Sequence, residues 1–315
     1  MRRTLAGMMR AWKRFPVAVA LVCAGFGTAS CSAQAWAKAM LDKSPRHGEF
    51  VTINEANGRK LQAWVVYPEV KDKAPVVVLI HEIFGLSDWA REMADEVAGA
   101  GYIVVEPDLL SGFGPPTGAI APAPASPDAP MDHAHMQMGQ STAGAPFVPT
   151  EPGGTAAFPD QSSTVKAVSA LPDAQVQGDL DAAADYGKKL PAASAKLYVG
   201  GFCWGGGKSF LFATHRKDLS AAFVFYGPPP PADAMKNIVA PVYGFYAGND
   251  ARIGATVPQT VLDMKAAGKV YEPVTYDGAG HGFMRAGEAP DADAANSAAR
   301  TEGFRRLVKL LGGVR

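Results

Sequence analysis

Three residues in this chain have the types and surroundings needed to attack a carbonyl carbon. Gly201-Phe202-Cys203-Trp204-Gly205 has the form glycine, any residue, nucleophile, any residue, glycine. That spacing presents a nucleophile on a tight turn from a strand into a helix. The residues two before and two after such a turn approach neighbouring backbone, where a Cβ would collide, so both are glycine. The helix start beneath Cys203 offers free N–H groups and the positive end of a dipole, which favour a thiolate and an oxyanion. Downstream stand Asp250, in Gly248-Asn249-Asp250, and His281, in Gly278-Ala279-Gly280-His281-Gly282-Phe283. A thiol, an imidazole and a carboxylate can together perform acyl transfer: the sulfur attacks, the imidazole moves the proton, and the carboxylate orients the imidazole. The bland alternative for Cys203 is a buried, inert thiol among glycines. For Asp250 and His281 taken singly it is a turn or solvated residue.

The elements around them must bring three distant positions together. Phe50–Asn54 and Lys60–Tyr67 flank Asn57-Gly58 and read as a hairpin. Pro75–Ile80 and Tyr102–Val105 are short apolar runs, the mark of strands buried on both faces. Further strands are expected at Lys196–Gly200, Ala222–Tyr226, Pro241–Tyr246 and Tyr271–Tyr276. Helices are expected after Ser87 (with Trp89, Met93 and Val97 on one face and a stop at Gly101), over Asp173–Leu190, Lys208–His215 and Val257–Ala267, and over Ala294–Leu311. Strands alternating with helices predict an α/β fold with a mostly parallel central sheet and helices on both faces. Cys203, Asp250 and His281 each lie just past the C-terminal end of a strand, where such sheets build sites. The order nucleophile, acid, histidine is that of the α/β-hydrolase fold.

Composition bounds the remaining possibilities. The chain has 315 residues, 30 Lys+Arg against 30 Asp+Glu, and 3 Cys. No disulfide scaffold can be built from three cysteines, and zero net charge gives no sign of nucleic-acid binding. The totals mix two regions, however. Residues 1–14 carry Arg2, Arg3, Arg10, Lys13 and Arg14 and no acid; residues 15–30 are apolar and small; Ala33-Gln34-Ala35 is a small-x-small site. This is the order of a secretory signal peptide, so residues 1–35 are expected to be removed near Ala35 and the protein to be exported, to the periplasm of a bacterium. The alternatives are an N-terminal anchor, for which the apolar stretch is short, and a lipidated Cys31, for which Thr28 stands where a bulky aliphatic residue is wanted. The remaining 280 residues hold 25 basic and 30 acidic residues and a single cysteine, Cys203. They are expected to form one domain with no membrane span. Without a second thiol a disulfide-exchange role is not expected.

One stretch breaks the pattern. Residues 111–160 contain 10 Pro, 7 Gly and 10 Ala with no Lys or Arg, and read as a long extended insertion. Within it, His133, His135 and Met136 are soft ligands that could bind copper. The competing view is a loop in which nothing fixes these residues in the geometry a metal needs.

Most of the chain outside the insertion, about residues 48–312, resembles the dienelactone hydrolase family. The resemblance is carried by His81-Glu82-Ile83-Phe84-Gly85, Pro107-Asp108-Leu109, Gly201-Phe202-Cys203-Trp204-Gly205-Gly206, Gly248-Asn249-Asp250-Ala251-Arg252 and His281-Gly282-Phe283-Met284-Arg285. It implies an α/β-hydrolase that opens lactones or activated esters with a Cys203–His281–Asp250 triad and an acyl-enzyme intermediate. It further implies that the N–H groups of Trp204 and Ile83 hold the oxyanion, that Glu82 meets the resting thiol and helps to deprotonate it, and that Arg285 holds a substrate carboxylate. Glu82 as a turn or salt-bridged residue, and Arg285 as a surface residue, remain the alternatives; His81 reads as a strand-end structural residue. Members of the family carry a second substrate-binding Arg soon after the Asp-Leu pair. Here Asp108-Leu109 runs into Leu110, Ser111 and Gly112, and no Arg occurs from 92 to 215. No cofactor, a small-molecule lactone or ester as partner, and a monomer are expected. The competing functional reading is a non-catalytic exported protein on the same fold that binds a metal or a partner through the insertion.

Overall fold

A computed structural model of the chain describes residues 34–114 and 153–313. Residues 1–33, with most of the expected signal peptide, and the His133, His135 and Met136 cluster lie outside them. Eight strands form one sheet: β1 (Gly48–Asn54), β2 (Lys60–Val66), β3 (Ala74–Ile80), β4 (Ile103–Pro107), β5 (Ala193–Phe202), β6 (Leu219–Phe225), β7 (Val242–Ala247) and β8 (Tyr271–Tyr276). Their order is β1-β2-β4-β3-β5-β6-β7-β8. β1 and β2 form an antiparallel hairpin, β2 runs antiparallel to β4, and the six strands from β4 across to β8 are parallel. The hairpin closes at Asn57-Gly58, with Gly58 at φ +87°, and the Glu55 N–H donates to the Arg59 carbonyl at 2.9 Å.

The helices among the described residues are α1 (Ala35–Leu41), α2 (Asp88–Gly99), α3 (Gln161–Ser169), α4 (Asp173–Lys189), α5 (Trp204–His215), α6 (Ala232–Met235), α7 (Ala251–Gly254), α8 (Val257–Ala266), α9 (Phe283–Ala286) and α10 (Ala294–Gly313). The sequence of β3 shows why the sheet is covered on both faces. Val76, Val78 and Ile80 enter one core with Val176, Leu180 and Ala183 of α4 and Phe210 of α5. Val77 and Leu79 enter the other core with Trp89 and Met93 of α2 and Leu307 and Leu311 of α10. A strand apolar on both faces has no polar alternation, hence its continuous β-branched run. None of the described helices is long and apolar enough to cross a membrane.

Two features depart from the sequence expectation. α5 begins at Trp204, four residues before the expected start. Gly205, Gly206 and Gly207 are poor helix formers, but backbone packing requires them: a Cβ on Gly205 would collide with the Ile80 and His81 carbonyls, and one on Gly206 with the Phe225 carbonyl. The insertion is also shorter than residues 111–160. Its two limbs are tied at Asp108, whose carboxylate accepts the Thr155 N–H at 2.7 Å and the Thr155 hydroxyl at 2.9 Å; the Gly154 N–H donates to the Phe113 carbonyl at 3.0 Å. Asp160 then caps α3 by accepting the Ser163 N–H at 2.7 Å.

The topology sets where a site can form. β3 has β4 on one side and β5 on the other, so the chain leaves it in opposite directions and a crevice opens at the C-terminal ends of β3 and β5. Ile80 pairs with Gly201 across that junction, Phe202 with Phe225 at the next, and Ala247 with Tyr276 between β7 and β8.

Glu106 of β4 is an exception within the core. It is fully buried and neither carboxylate oxygen has a hydrogen-bond partner among the described residues. Burial pushes its pKa up to about 8, so near neutral pH the folded protein keeps a proton that the unfolded chain releases. Stability from this group is complete below about 4.5, the ordinary glutamate value, and is lost as pH rises toward 8. Urea unfolding of Glu106→Gln should therefore show it gaining on the wild type by a few kcal/mol between pH 5 and pH 8.5; parallel stability curves would contradict this account.

Candidate active site

The turn between β5 and α5 is built from close backbone contacts. Cys203 stands at φ 55° and ψ −115°, a region that L-residues adopt only under constraint. Its N–H donates to the Phe225 carbonyl at 3.0 Å, and its own carbonyl accepts the Gly207 N–H at 3.2 Å. A Cβ on Gly201 would collide with the Gly205 carbonyl, just as one on Gly205 or Gly206 would meet the backbone at the ends of β3 and β6. The three glycines let the turn press against the ends of β3 and β6. That packing fixes Cys203 in its strained conformation and leaves its thiol partly exposed.

Asp250 and His281 reach the sulfur from the ends of β7 and β8. His281 Nε2 lies 3.0 Å from Cys203 Sγ, and His281 Nδ1 lies 2.5 Å from Asp250 Oδ2. The other Asp250 oxygen accepts the Ile253 N–H at 3.2 Å, which caps α7 and holds the carboxylate plane. The histidine loop is held by the Gly280 N–H donating to Asn296 Oδ1 at 2.9 Å, and Gly282 turns through φ 78°. The structure thus brings together the three residues singled out for nucleophilic chemistry.

Trp204 and Ile83 line the same small pocket as Cys203 and His281. The Trp204 N–H opens α5, where first-turn N–H groups lack an intrahelical acceptor. No described backbone carbonyl accepts the Ile83 N–H. Both residues thus line the pocket into which Cys203 opens, each with a backbone N–H that donates to no described backbone carbonyl.

Glu82 and Arg285 meet each other. The resemblance implied Glu82 against the resting thiol and Arg285 awaiting a substrate carboxylate. Instead Arg285 Nε donates to Glu82 Oε2 at 2.8 Å, the Tyr226 hydroxyl donates to Glu82 Oε1 at 3.3 Å, and the sulfur's partner is His281. The physical reason is burial. Glu82 is 3% exposed, and a buried carboxylate takes the nearest cation. Arg285 also lies over the Phe84 ring, at 4.9 Å.

Two pocket residues escaped the sequence reading. Tyr226 follows β6 at φ 40°, is wholly buried, and places its ring edge-on to His281 with centroids 5.1 Å apart. Its position was readable, since it follows the strand beside the nucleophile turn; its contacts were not. Arg252, two residues after Asp250, lines the pocket and is exposed. It lay inside a motif noted for resemblance but was given no task there.

The charges around the sulfur reinforce one another. Burial disfavours the charged ring of His281, but its hydrogen bonds to Asp250 and Cys203 and the charges of both outweigh this and push its pKa up to about 10. Burial acts to raise Asp250, and the hydrogen bond and charge of His281 prevail, leaving it below the usual carboxylate range. The stabilisation from a charged His281 is complete below about 6.5 and is lost as pH rises through about 10. In an NMR titration the His281 ring should stay protonated well above pH 8. Asp250→Asn should lower its midpoint by at least about one unit, or about 1.4 kcal/mol of lost interaction; an unmoved midpoint would refute the coupling.

The chain as a whole is similar to known proteins. The chain is 28% identical over 255 residues to "Putative carboxymethylenebutenolidase" of Salmonella typhi, covering 74% of this chain and 77% of that one. It is 25% identical over 238 residues to carboxymethylenebutenolidase of Pseudomonas putida, covering 75% and 86%. Among solved structures, "Putative Dienelactone Hydrolase" from Klebsiella pneumoniae superposes with a TM-score of 0.63 at 25% identity, covering 84% of this chain and 97% of that one. The family model for the dienelactone hydrolases matches residues 61–314, from β2 through the last helix. With the α/β-hydrolase sheet, a tight turn at Cys203 between β5 and α5, and this match across most of its length, the chain belongs to the dienelactone hydrolase family.

Proposed function

We propose that the protein is an exported, cysteine-dependent hydrolase of lactones or activated esters. The observation that carries this is the continuous line from Asp250 Oδ2 through both nitrogens of His281 to Cys203 Sγ, with steps of 2.5 and 3.0 Å. In this reading the sulfur attacks the carbonyl carbon as a thiolate, forming the C–S bond while the carbonyl oxygen takes the negative charge. The N–H groups of Trp204 and Ile83 stabilise that oxygen. When the tetrahedral species collapses, the C–O bond breaks and the His281 proton passes to the leaving alkoxide, which in a lactone stays tethered to the acyl group. Water then attacks the thioester with His281 as base; the acid departs and the thiolate returns. Asp250 holds His281 in the tautomer that both steps require. Glu82, paired with Arg285 and Tyr226, has no bond to the sulfur in this arrangement, and its bond to Tyr226 holds a residue that lines the pocket. The basic and apolar segment at residues 1–35 supports export.

Substrate selection follows from the cations. Arg285 is engaged by Glu82, and no Arg stands after Asp108-Leu109. Arg252 at the pocket supplies an alternative anchor for an anionic arm of the substrate, since a guanidinium offers paired donors to a carboxylate.

Iodoacetamide should alkylate Cys203 and abolish hydrolysis of an activated aryl ester by protein recovered from the periplasmic fraction, and Cys203→Ala should lack the activity by at least about 10³-fold. Unchanged turnover in Cys203→Ala would remove the mechanism; activity confined to the cytosol would remove export. Arg252→Ala should raise KM about tenfold for an ester bearing a carboxylate and leave a neutral ester of equal size nearly unaffected, about 1.4 kcal/mol of selective binding. Equal effects on both esters would count against Arg252 as the anchor.

A further inference from the structure

We propose that His81 is the positioning residue of the oxyanion hole: its imidazole aims the Ile83 N–H and packs on the side chain of Trp204, the residue that carries the other donor. This rests on the hydrolase reading above and adds to it a residue with no contact to the substrate. His81 follows β3, is fully buried, and does not line the pocket, so it cannot serve as a base toward a bound ester. Its Nδ1 lies 2.7 Å from the Glu82 carbonyl oxygen. A carbonyl only accepts, so Nδ1 carries the hydrogen. Burial pushes the His81 pKa below the ordinary histidine value, which keeps the ring neutral and leaves a lone pair on Nε2. That nitrogen has no hydrogen-bond partner among the described residues.

The target of this hydrogen bond gives it meaning. The Glu82 carbonyl and the Ile83 N–H are opposite ends of one planar peptide unit, so holding the oxygen fixes the direction of the N–H. The Gly85 N–H also donates to that oxygen, at 3.2 Å, and the imidazole is the shorter of the two contacts. Donation to the oxygen also polarises the unit and makes its N–H a stronger donor. The same imidazole stacks on the Trp204 indole, with centroids 5.8 Å apart and planes 10° from parallel. Lys208 Nζ stands 5.0 Å from the Trp204 ring centroid and holds the indole in turn. Trp204 carries the other donor. One buried ring, itself absent from the pocket lining, thus touches the Trp204 indole and the peptide unit that bears the Ile83 donor.

Three substitutions separate positioning from general structural support. His81→Asn places an amide N–H near the position of Nδ1. His81→Gln places it near Nε2. His81→Phe keeps a stacked ring and removes the donor. Each is measured for kcat and KM on an activated aryl ester and for the second-order rate of Cys203 alkylation by iodoacetamide, a displacement at saturated carbon that forms no oxyanion. Removing the donor should lower kcat about 10- to 100-fold in Phe and Gln, with KM within about threefold and alkylation within about twofold of wild type. Asn should recover most of kcat. If Phe fails to fold, the contrast of Asn with Gln decides the matter. Wild-type kcat in Phe or Gln, or alkylation falling in step with kcat, would overturn the proposal and leave His81 as a support of the turn. A wild-type protein that is alkylated but hydrolyses no ester would overturn the hydrolase reading itself, and the His81 role with it.

Discussion

The site depends on one steric constraint: the turn at Cys203 must pass closer to the ends of β3 and β6 than any side chain allows. Gly201 faces the Gly205 carbonyl, Gly205 the carbonyls of Ile80 and His81, and Gly206 that of Phe225. Because these contacts are backbone to backbone, they transmit position with little slack. They lock Cys203 at positive φ, a conformation that costs of order 1–3 kcal/mol and persists only where the surroundings over-determine it. They also bring the loop after β3, with Ile83, against the start of α5, with Trp204. A bulkier residue at any of the three would force these backbones apart and move Cys203 relative to Trp204 and the loop after β3.

Around that turn the charges are arranged in two separate pairs. Asp250 is joined to His281, and Glu82 to Arg285. Tyr226 stands between them, with its ring edge-on to His281 and its hydroxyl on Glu82. Two carboxylates facing one imidazole would compete for it, and the charged form of each would be disfavoured by the other. Giving Glu82 its own guanidinium and phenol leaves Asp250 alone to orient His281. Burial of Tyr226 and the charge of Glu82 both raise its hydroxyl pKa well above the ordinary value, so it stays a neutral donor to that carboxylate.

How much of this was legible in the sequence follows from the range of each interaction. The sheet class, the nucleophile turn and the order of Cys203, Asp250 and His281 were readable because they rest on local rules: β-branched runs, glycines at fixed offsets, and residues just past strand ends. The start of α5 was missed because propensity counts three glycines against a helix, whereas close approach to β3 and β6 demands them. α3 was missed because its cap, Asp160, ends a stretch whose composition reads as irregular. The pairing of Glu82 with Arg285 spans 203 residues of sequence, and no local pattern says which of several charges a buried carboxylate will find. The same holds for His81, whose partners are a neighbouring carbonyl and an indole more than a hundred residues away.

The place where the family's second arginine is missing is occupied by a structural tie. Asp108 accepts from the Thr155 N–H and hydroxyl, and the Thr155 hydroxyl oxygen accepts the Leu86 N–H at 2.9 Å. Thr155 also lies against the α-carbon of Gly85, where a Cβ would meet its side chain. The returning limb of the insertion is thus fastened to the loop after β3, three residues beyond the Ile83 donor. An arginine soon after Asp108 would have to share the space that this tie closes. The neighbouring cations differ in their engagement: Arg285 is held by Glu82, whereas Arg252, on α7, lines the pocket and is exposed. On the proposed reading, an anionic arm of a substrate would be met from the turn after β7, beside Asp250, rather than from the loop after β4, where the Asp108–Thr155 tie closes the space.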